Sequence, residues 1–210
     1  MTLEQIFTQD PARWSPDYAG SLASWCALQA CHLTNALRTL HHKFKDLRDE
    51  DDTNPKTHVI HADLKPENIL YFRNWKGRRS SKSVGVLQIT DFGLSSFHGS
   101  LSVDDAGNHY GRGAYRPPEA ALQRSLSPSF DTWSLGCLFV ELLIWLIQGP
   151  TGLKTFRDNR LGTPGFTSEH PCFWEVEGLG KDTKVSLSSV TNRVSLRCLV
   201  YSVLSKLSRY

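Results

Sequence analysis

Residues 133–147 constrain the fold more than any other stretch. Trp133, Leu135, Leu138, Val140, Leu142, Leu143 and Leu146 leave almost no polar face at helical spacing. A helix that is apolar nearly all round belongs inside a protein, not on its skin. The stretch is short for a bilayer and carries Glu141, so a central buried helix over about 131–147 is expected, and no membrane span. The rest of the chain must wrap it. Residues 22–40 can do so as an amphipathic helix, because Leu22, Trp25, Leu28, Leu33, Ala36, Leu37 and Leu40 fall roughly along one side. With 40% hydrophobic residues in a chain of 210, there is enough apolar mass for a substantial core.

Between these helices the pattern changes. Residues 46–55 are charged and end in Asn54-Pro55, the chemistry of a loop. Short β-type runs follow at 57–60, 69–72 and 84–90, the last two separated by a polar, basic loop that suggests a small hairpin. Residues 94–113 are rich in Ser, Gly and Asp without periodicity and are expected to form an extended surface segment with few core contacts. Residues 150–180 show no clear period, and a final helix is expected over 187–207.

Charge excludes little but argues against nucleic acid. The formal net charge is only +3, and phosphate-tracking proteins concentrate Lys and Arg on one face. The one basic cluster, Lys76, Arg78, Arg79 and Lys82, reads as a solvated loop, with a weak localisation or docking signal as its alternative. Five cysteines form no C-x-x-C pair, which fits a reduced intracellular compartment, cytoplasm or nucleus. The first 13 residues contain acids and no long apolar run, unlike a secretory signal. Gly178-Leu179-Gly180-Lys181 is not a phosphate loop, because Glu175 takes the first glycine position and Asp182 follows the lysine.

The chemistry concentrates elsewhere. Asp63, Lys65 and Asn68 lie in a loop between two short strands, and a second carboxylate, Asp91, follows the next strand. Two acids and an amide are hard oxygen ligands of the kind Mg²⁺ takes together with water and phosphate oxygens, so a nucleotide–metal site is the natural chemical reading. The alternative is a hairpin whose Asp and Asn simply cap turns.

The motif order narrows this. His61-Ala62-Asp63-Leu64-Lys65-Pro66-Glu67-Asn68 is followed by Asp91-Phe92-Gly93, then Tyr115-Arg116-Pro117-Pro118-Glu119, then Asp131-Thr132-Trp133-Ser134-Leu135-Gly136. The sequence resembles the eukaryotic protein kinase family, with its H-R-D-L-x-x-x-N, D-F-G and A-P-E motifs in the same order. The resemblance implies a mainly α fold, the kinase-like C-terminal lobe, in which a small β-hairpin carries the catalytic loop and the metal-binding Asp. It also implies Mg²⁺ and ATP as phosphoryl donor, a protein substrate as partner, and an activation segment at about 91–119. Residue by residue, Asp63 would orient the substrate hydroxyl and accept its proton, Lys65 would lie against the transferring phosphoryl group, and Asn68 and Asp91 would hold the metal. Leu70 would floor the adenine pocket, His61 would pack beneath Phe92, and Asp131 would hold the catalytic-loop backbone. The Lys two residues after the Asp resembles the serine/threonine branch, and the Tyr115 to Glu119 segment weighs against small-molecule or lipid kinases on the same scaffold.

Several positions depart from the family pattern. Ala62 replaces the arginine that pairs with an activation-segment phosphate, so phosphorylation of Ser95, Ser96, Ser100 or Ser102 has less to grip. Arg112 stands where a threonine is usual. Gly20 is the only glycine before Gly77, so no Gly-rich loop precedes the catalytic loop, and the expectation is a partial kinase domain over 1–210 whose N-terminal β lobe is absent. Arg193 and Arg197 are candidates to pair with Glu119. Such a lobe is also expected to expose apolar surface.

Overall fold

The computed structural model describes residues 1–15, 20–43, 58–75, 84–98, 114–118, 127–161, 173–177 and 184–187. The long helix α3 (Pro128–Leu161) is its centre. Its first limb matches the expected buried helix, with Leu135, Leu138, Leu142, Ile144 and Trp145 in the core. By length and apolar composition alone α3 could cross a membrane, yet these side chains are consumed by packing inside the fold.

α3 does not stop where the sequence suggested. At Gly149 the backbone takes φ 71° and ψ −171°, and Pro150 starts a second helical limb running to Leu161. Glycine tolerates that positive φ, and proline suits a first helical position because its missing N–H has no partner there anyway. The Gly-Pro pair is therefore a corner between two helices, and the expectation of aperiodic chain from 150 onward is corrected over 150–161. The corner is sharp. An uninterrupted helix would separate Glu141 and Arg157 by about 24 Å, yet Arg157 Nη2 donates to Glu141 Oε2 at 2.6 Å.

Helix α1 (Leu3–Phe7) buries Leu3, Ile6 and Phe7 against the core. Its capping box is complete, the Thr2 hydroxyl accepting from Gln5 N and the Gln5 side chain accepting from Thr2 N. Helix α2 (Leu22–Lys43) packs on α3. The buried side of α2 is Trp25, Cys26, Gln29, Leu33, Leu37, Leu40 and His41. Ala36 of the expected stripe is exposed instead, and Gln29 is a polar residue the stripe did not include.

Three antiparallel ribbons complete the described fold. Strand β1 (His58–Ile60) pairs with β4 (Ser96–His98), β2 (Ile69–Trp75) with β3 (Val84–Ile89), and β5 (Trp174–Glu177) with β6 (Lys184–Leu187). The β2–β3 ribbon is the expected hairpin, in register Ile69↔Ile89 to Phe72↔Val86. Its β3 side is sealed by α2: Gln29 Oε1 accepts from Leu87 N at 2.8 Å, and Trp25 Nε1 donates to Gly85 O at 2.7 Å. A Cβ on Gly85 would collide with the Tyr71 ring, so this close approach requires glycine.

Strand β4 corrects the expectation for 94–113 over Ser96–His98, which pair with β1 in register His58↔His98 to Ile60↔Ser96. The remainder of that segment, Glu119, and the candidates Arg193 and Arg197 lie outside the described residues. Leu187 closes a strand rather than opening the expected final helix, and 188–207 lie outside the described residues.

Candidate functional site

The site begins with one buried carboxylate. Asp131, in the first turn of α3, is fully buried, and its Oδ2 accepts from His61 N at 2.8 Å and its Oδ1 from Ala62 N at 2.8 Å. His41 of α2 adds a third bond, Nε2 to Oδ2 at 2.9 Å. Main-chain donors aimed at one carboxylate fix the loop's path without a β ladder. Ala62 is held there at φ 65°, a left-handed conformation that a non-glycine residue keeps only when its surroundings impose it. The role foreseen for Asp131 is the geometry observed, while its partner His41 carried no signal in the sequence.

His61 is the second anchor. It is completely buried, its Nε2 donates to Thr90 O at 2.9 Å, and its Nδ1 accepts from Asp63 N at 3.3 Å. Both ring nitrogens are committed, the pattern of the Nε2–H tautomer. The ring lies 5.0 Å from that of Phe92. As expected, its contacts are those of a packing residue.

The loop then turns Asp63, Lys65 and Asn68 toward one another. Lys65 Nζ donates to Asp63 Oδ2 at 2.7 Å. Asn68 Nδ2 donates to both Asp63 O and Asp63 Oδ2 at 2.9 Å. Both amide hydrogens are thus used, and the Asn68 carbonyl oxygen is the atom left to face a ligand. No hydrogen bond among the described residues reaches Asp63 Oδ1.

Asp91 reaches the same corner through its neighbour. Thr90 N and Thr90 Oγ1 both donate to Asn68 O, at 2.9 and 3.1 Å, which pins the end of β3 to the end of the loop. Asp91 follows at φ 62°, exposed, its Oδ1 accepting from Gly93 N at 3.3 Å. Thr90 is the contributor that sequence reasoning missed; a threonine closing a strand gives no hint of its partner. Leu70 stands apart, half-buried on β2 opposite Gln88 and bridged to Thr2.

Nothing among the described residues forms a group of three His, Cys, Asp or Glu able to hold a metal unaided. The available set is one amide oxygen and exposed carboxylate oxygens. That suits a cation such as Mg²⁺, which keeps water and phosphate oxygens in its shell, and not a closed protein cage.

The first limb of α3 holds a second buried acid. Glu141 is fully buried and receives Arg157 through Nη2 at 2.6 Å, Arg160 through Nη2 at 2.7 Å and the Tyr115 hydroxyl at 2.7 Å. Arg157 also clasps Glu4 of α1 with two bonds of 2.8 and 2.9 Å. Burial, and then the Glu141 charge, push the Tyr115 phenol well above its usual pKa. Arg112 lies outside the described residues, as do Ser100 and Ser102. Ser95 is half-buried, its hydroxyl donating to His61 O at 3.4 Å.

Curated serine/threonine kinases are similar to part of this chain. The chain is 34% identical over 135 residues to the calcium and calcium/calmodulin-dependent serine/threonine-protein kinase of Lilium longiflorum, covering 64% of this chain and 24% of that one. It is 32% identical over 114 residues to cyclin-dependent kinase 14 of Xenopus tropicalis, 51% of this chain and 24% of the relative. It is 36% identical over 85 residues to the DYRK-family kinase pom1 of Schizosaccharomyces pombe, 40% of this chain and 7% of the relative. The alignments therefore span a quarter or less of the length of each of these relatives. Residues 29–154 match the family model described as the protein kinase domain, and with serine/threonine kinases as its relatives the chain belongs to the eukaryotic protein kinase family.

Proposed function

We propose that this chain carries the hydroxyl-orienting and metal-facing half of a serine/threonine kinase site, used for ATP-dependent phosphoryl transfer to a protein in the intracellular space. The observation that carries the reading is the bonding of Asn68: its amide hydrogens hold Asp63, its main-chain oxygen holds Thr90, the residue before Asp91, and its side-chain oxygen is left open.

When bound, Mg²⁺–ATP would supply the phosphoryl group and neutralise its oxygens. Asn68 Oδ1 and the Asp91 carboxylate would hold the metal. Asp63 Oδ1 is oriented to accept a hydrogen bond from a substrate hydroxyl and then its proton, because Oδ2 is already occupied by Lys65 and Asn68. Lys65, half-exposed and bonded to that carboxylate, offers its charge to the transferring group. Leu70 would contact the nucleotide base. Positioning supplies most of the rate in such chemistry.

The 210 residues alone are a partial kinase domain in this reading, the C-terminal lobe with its activation segment over about 91–119. Phe92 is 50% exposed beside an apolar cleft of about 790 Å³ lined by Ala36, Leu40, Val59, Leu87 and Ile89. Open apolar surface next to the site is what a lobe built to be covered would show. The same surface supports a second reading, a non-catalytic interaction module that keeps the kinase scaffold.

Phosphoryl transfer from ATP to a serine/threonine peptide library, by the gene product purified from its own cells, separates the two. Mg²⁺-dependent transfer that disappears in a folded Asp63→Asn variant supports the kinase. No transfer from well-folded protein, or transfer indifferent to Asp63→Asn, overturns it. The isolated 210 residues are expected to bind Mg–ATP weakly, so nucleotide should raise their melting temperature little. A strong saturable shift abolished by Asp91→Ala would instead show that the partial site suffices.

A further inference from the structure

A second cleft, of about 510 Å³, opens beside Tyr71 and Arg73 of β2. It is lined by Met1, Gln9, Arg13, Trp14, Ser15, Tyr71 and Arg73. We propose that this cleft is a docking site for an acidic segment of a protein partner.

Charge is the first argument. Among the described residues the lining holds two arginines and no carboxylate. Arg73 is exposed, and no ion pair among the described residues reaches it. Arg13, with its side chain 89% exposed, meets Asp10 alone among the described residues, at a loose 3.7 Å. Pairs of that kind are worth little in water, so both guanidinium groups are available to a carboxylate, and their planar forks suit two-point binding.

Rigidity is the second. Asp10 O accepts from Arg13 N at 3.0 Å and from Trp14 N at 2.9 Å, and Asp10 Oδ1 accepts from Ala12 N at 2.9 Å, so the turn that presents Arg13 is already formed. Trp14 is clamped against Trp25, Tyr71 and Trp145 at ring distances of 4.9, 5.4 and 5.8 Å. Tyr71 and Arg73 of β2 both line the cleft. The cleft is therefore walled by fixed aromatic side chains with cations at its rim, and little ordering would be needed on binding.

The same facts select among anionic partners. Single-stranded nucleic acid wants free aromatic faces on which bases stack, and the Trp14 ring is engaged by three aromatic neighbours. A carboxylate-bearing peptide needs only the rim cations and an apolar wall. The proposal does not rest on the kinase reading, because docking is measured without phosphoryl transfer.

The test is fluorescence anisotropy with a labelled glutamate-rich peptide carrying a central leucine, against its lysine-for-glutamate counterpart. The acidic peptide is expected to bind and the basic one not. Arg13→Glu/Arg73→Glu should weaken binding at least about tenfold with the melting temperature unchanged, and raising salt well above about 0.15 M should weaken the wild type further. Should the double variant misfold, Arg73→Gln should still weaken binding about threefold. Asp63→Asn, which disables the proposed chemistry, should leave it intact. Failure of the acidic peptide to bind, or equal binding to wild type and the arginine variants, overturns the proposal. Stronger binding of poly(U) or phosphatidylserine vesicles, lost in the same variants, also overturns it and assigns the cleft to that class.

Discussion

Two positions on one helical limb bury an acid in opposite ways. Asp131, at the start of α3, is satisfied by two main-chain N–H groups and a histidine, and what those donors do is hold the backbone of the candidate catalytic loop. Glu141, ten residues on, is satisfied by two guanidinium groups and a phenol, and what those donors do is hold separate elements together: α1 through Glu4 and Arg157, the second limb of α3, and the Tyr115 segment. Dipolar donors position a loop with little charge to balance. Cationic donors bind more firmly but leave a stranded charge if the acid is removed.

Replacing each acid by its amide should expose that difference. Glu141→Gln leaves Arg160, 2% exposed at its side chain, without its counter-charge and should cost about 3–5 kcal/mol of unfolding free energy. Asp131→Asn keeps one acceptor and strands one donor, at about 1–3 kcal/mol. Denaturant titration of both variants is the measurement, and equal losses would break the comparison.

Alkaline pH should act on the Glu141 cluster and not on Asp131. The folded protein keeps the Tyr115 proton above pH 10, where the unfolded chain gives it up. The stabilisation is thus complete below the unfolded pKa of 10.0 and is lost as pH rises beyond it. The Cys26 thiol, pushed by burial from 9.0 to about 12, acts in the same direction from pH 9 upward. Denaturation midpoints should fall through this window. Tyr115→Phe should flatten the fall, after losing about 0.5–1.5 kcal/mol for its hydrogen bond, and Asp131→Asn should leave the slope unaltered.

The smallest effect sharpens the comparison at its edge. Glu4→Gln removes one anion from a pair whose side chains are 27% and 33% exposed, and Arg157 retains Glu141, so the loss should be under about 1 kcal/mol. A loss as large as that of Glu141→Gln, read from the same titration, would mean that Glu4 and not Glu141 is the hub of the cluster.

Residues 61–68, Asp91 and Asp131 were legible because their chemistry is local and ordered along the chain. The apolar limb of α3 was legible because its composition admits no exposed face. Other features had no local signature. Strand β4 is three residues in a Ser- and Gly-rich segment, and it exists because β1, far back in sequence, offers it a partner. The second limb of α3 lay within a stretch that showed no clear period, behind Gly149-Pro150, which make a corner and restart the helix. Helix α1 is five residues long, too short to show periodicity, although Thr2 and Gln5 already had the capping-box spacing.

By itself the sequence determined which polar groups make up the candidate site and that residues 133–147 lie inside, since side-chain type and apolar composition are properties of the chain wherever it goes. Only the tertiary structure decided which oxygens those groups leave open. The free edges of Asp63 and Asn68 depend on which hydrogens Lys65 and Asn68 spend on Oδ2, on Thr90 arriving at Asn68 O, and on Asp131 holding the loop from beneath. Those partners lie up to 70 residues apart, and a hydrogen bond forms between neighbours in space, which composition and local spacing do not specify.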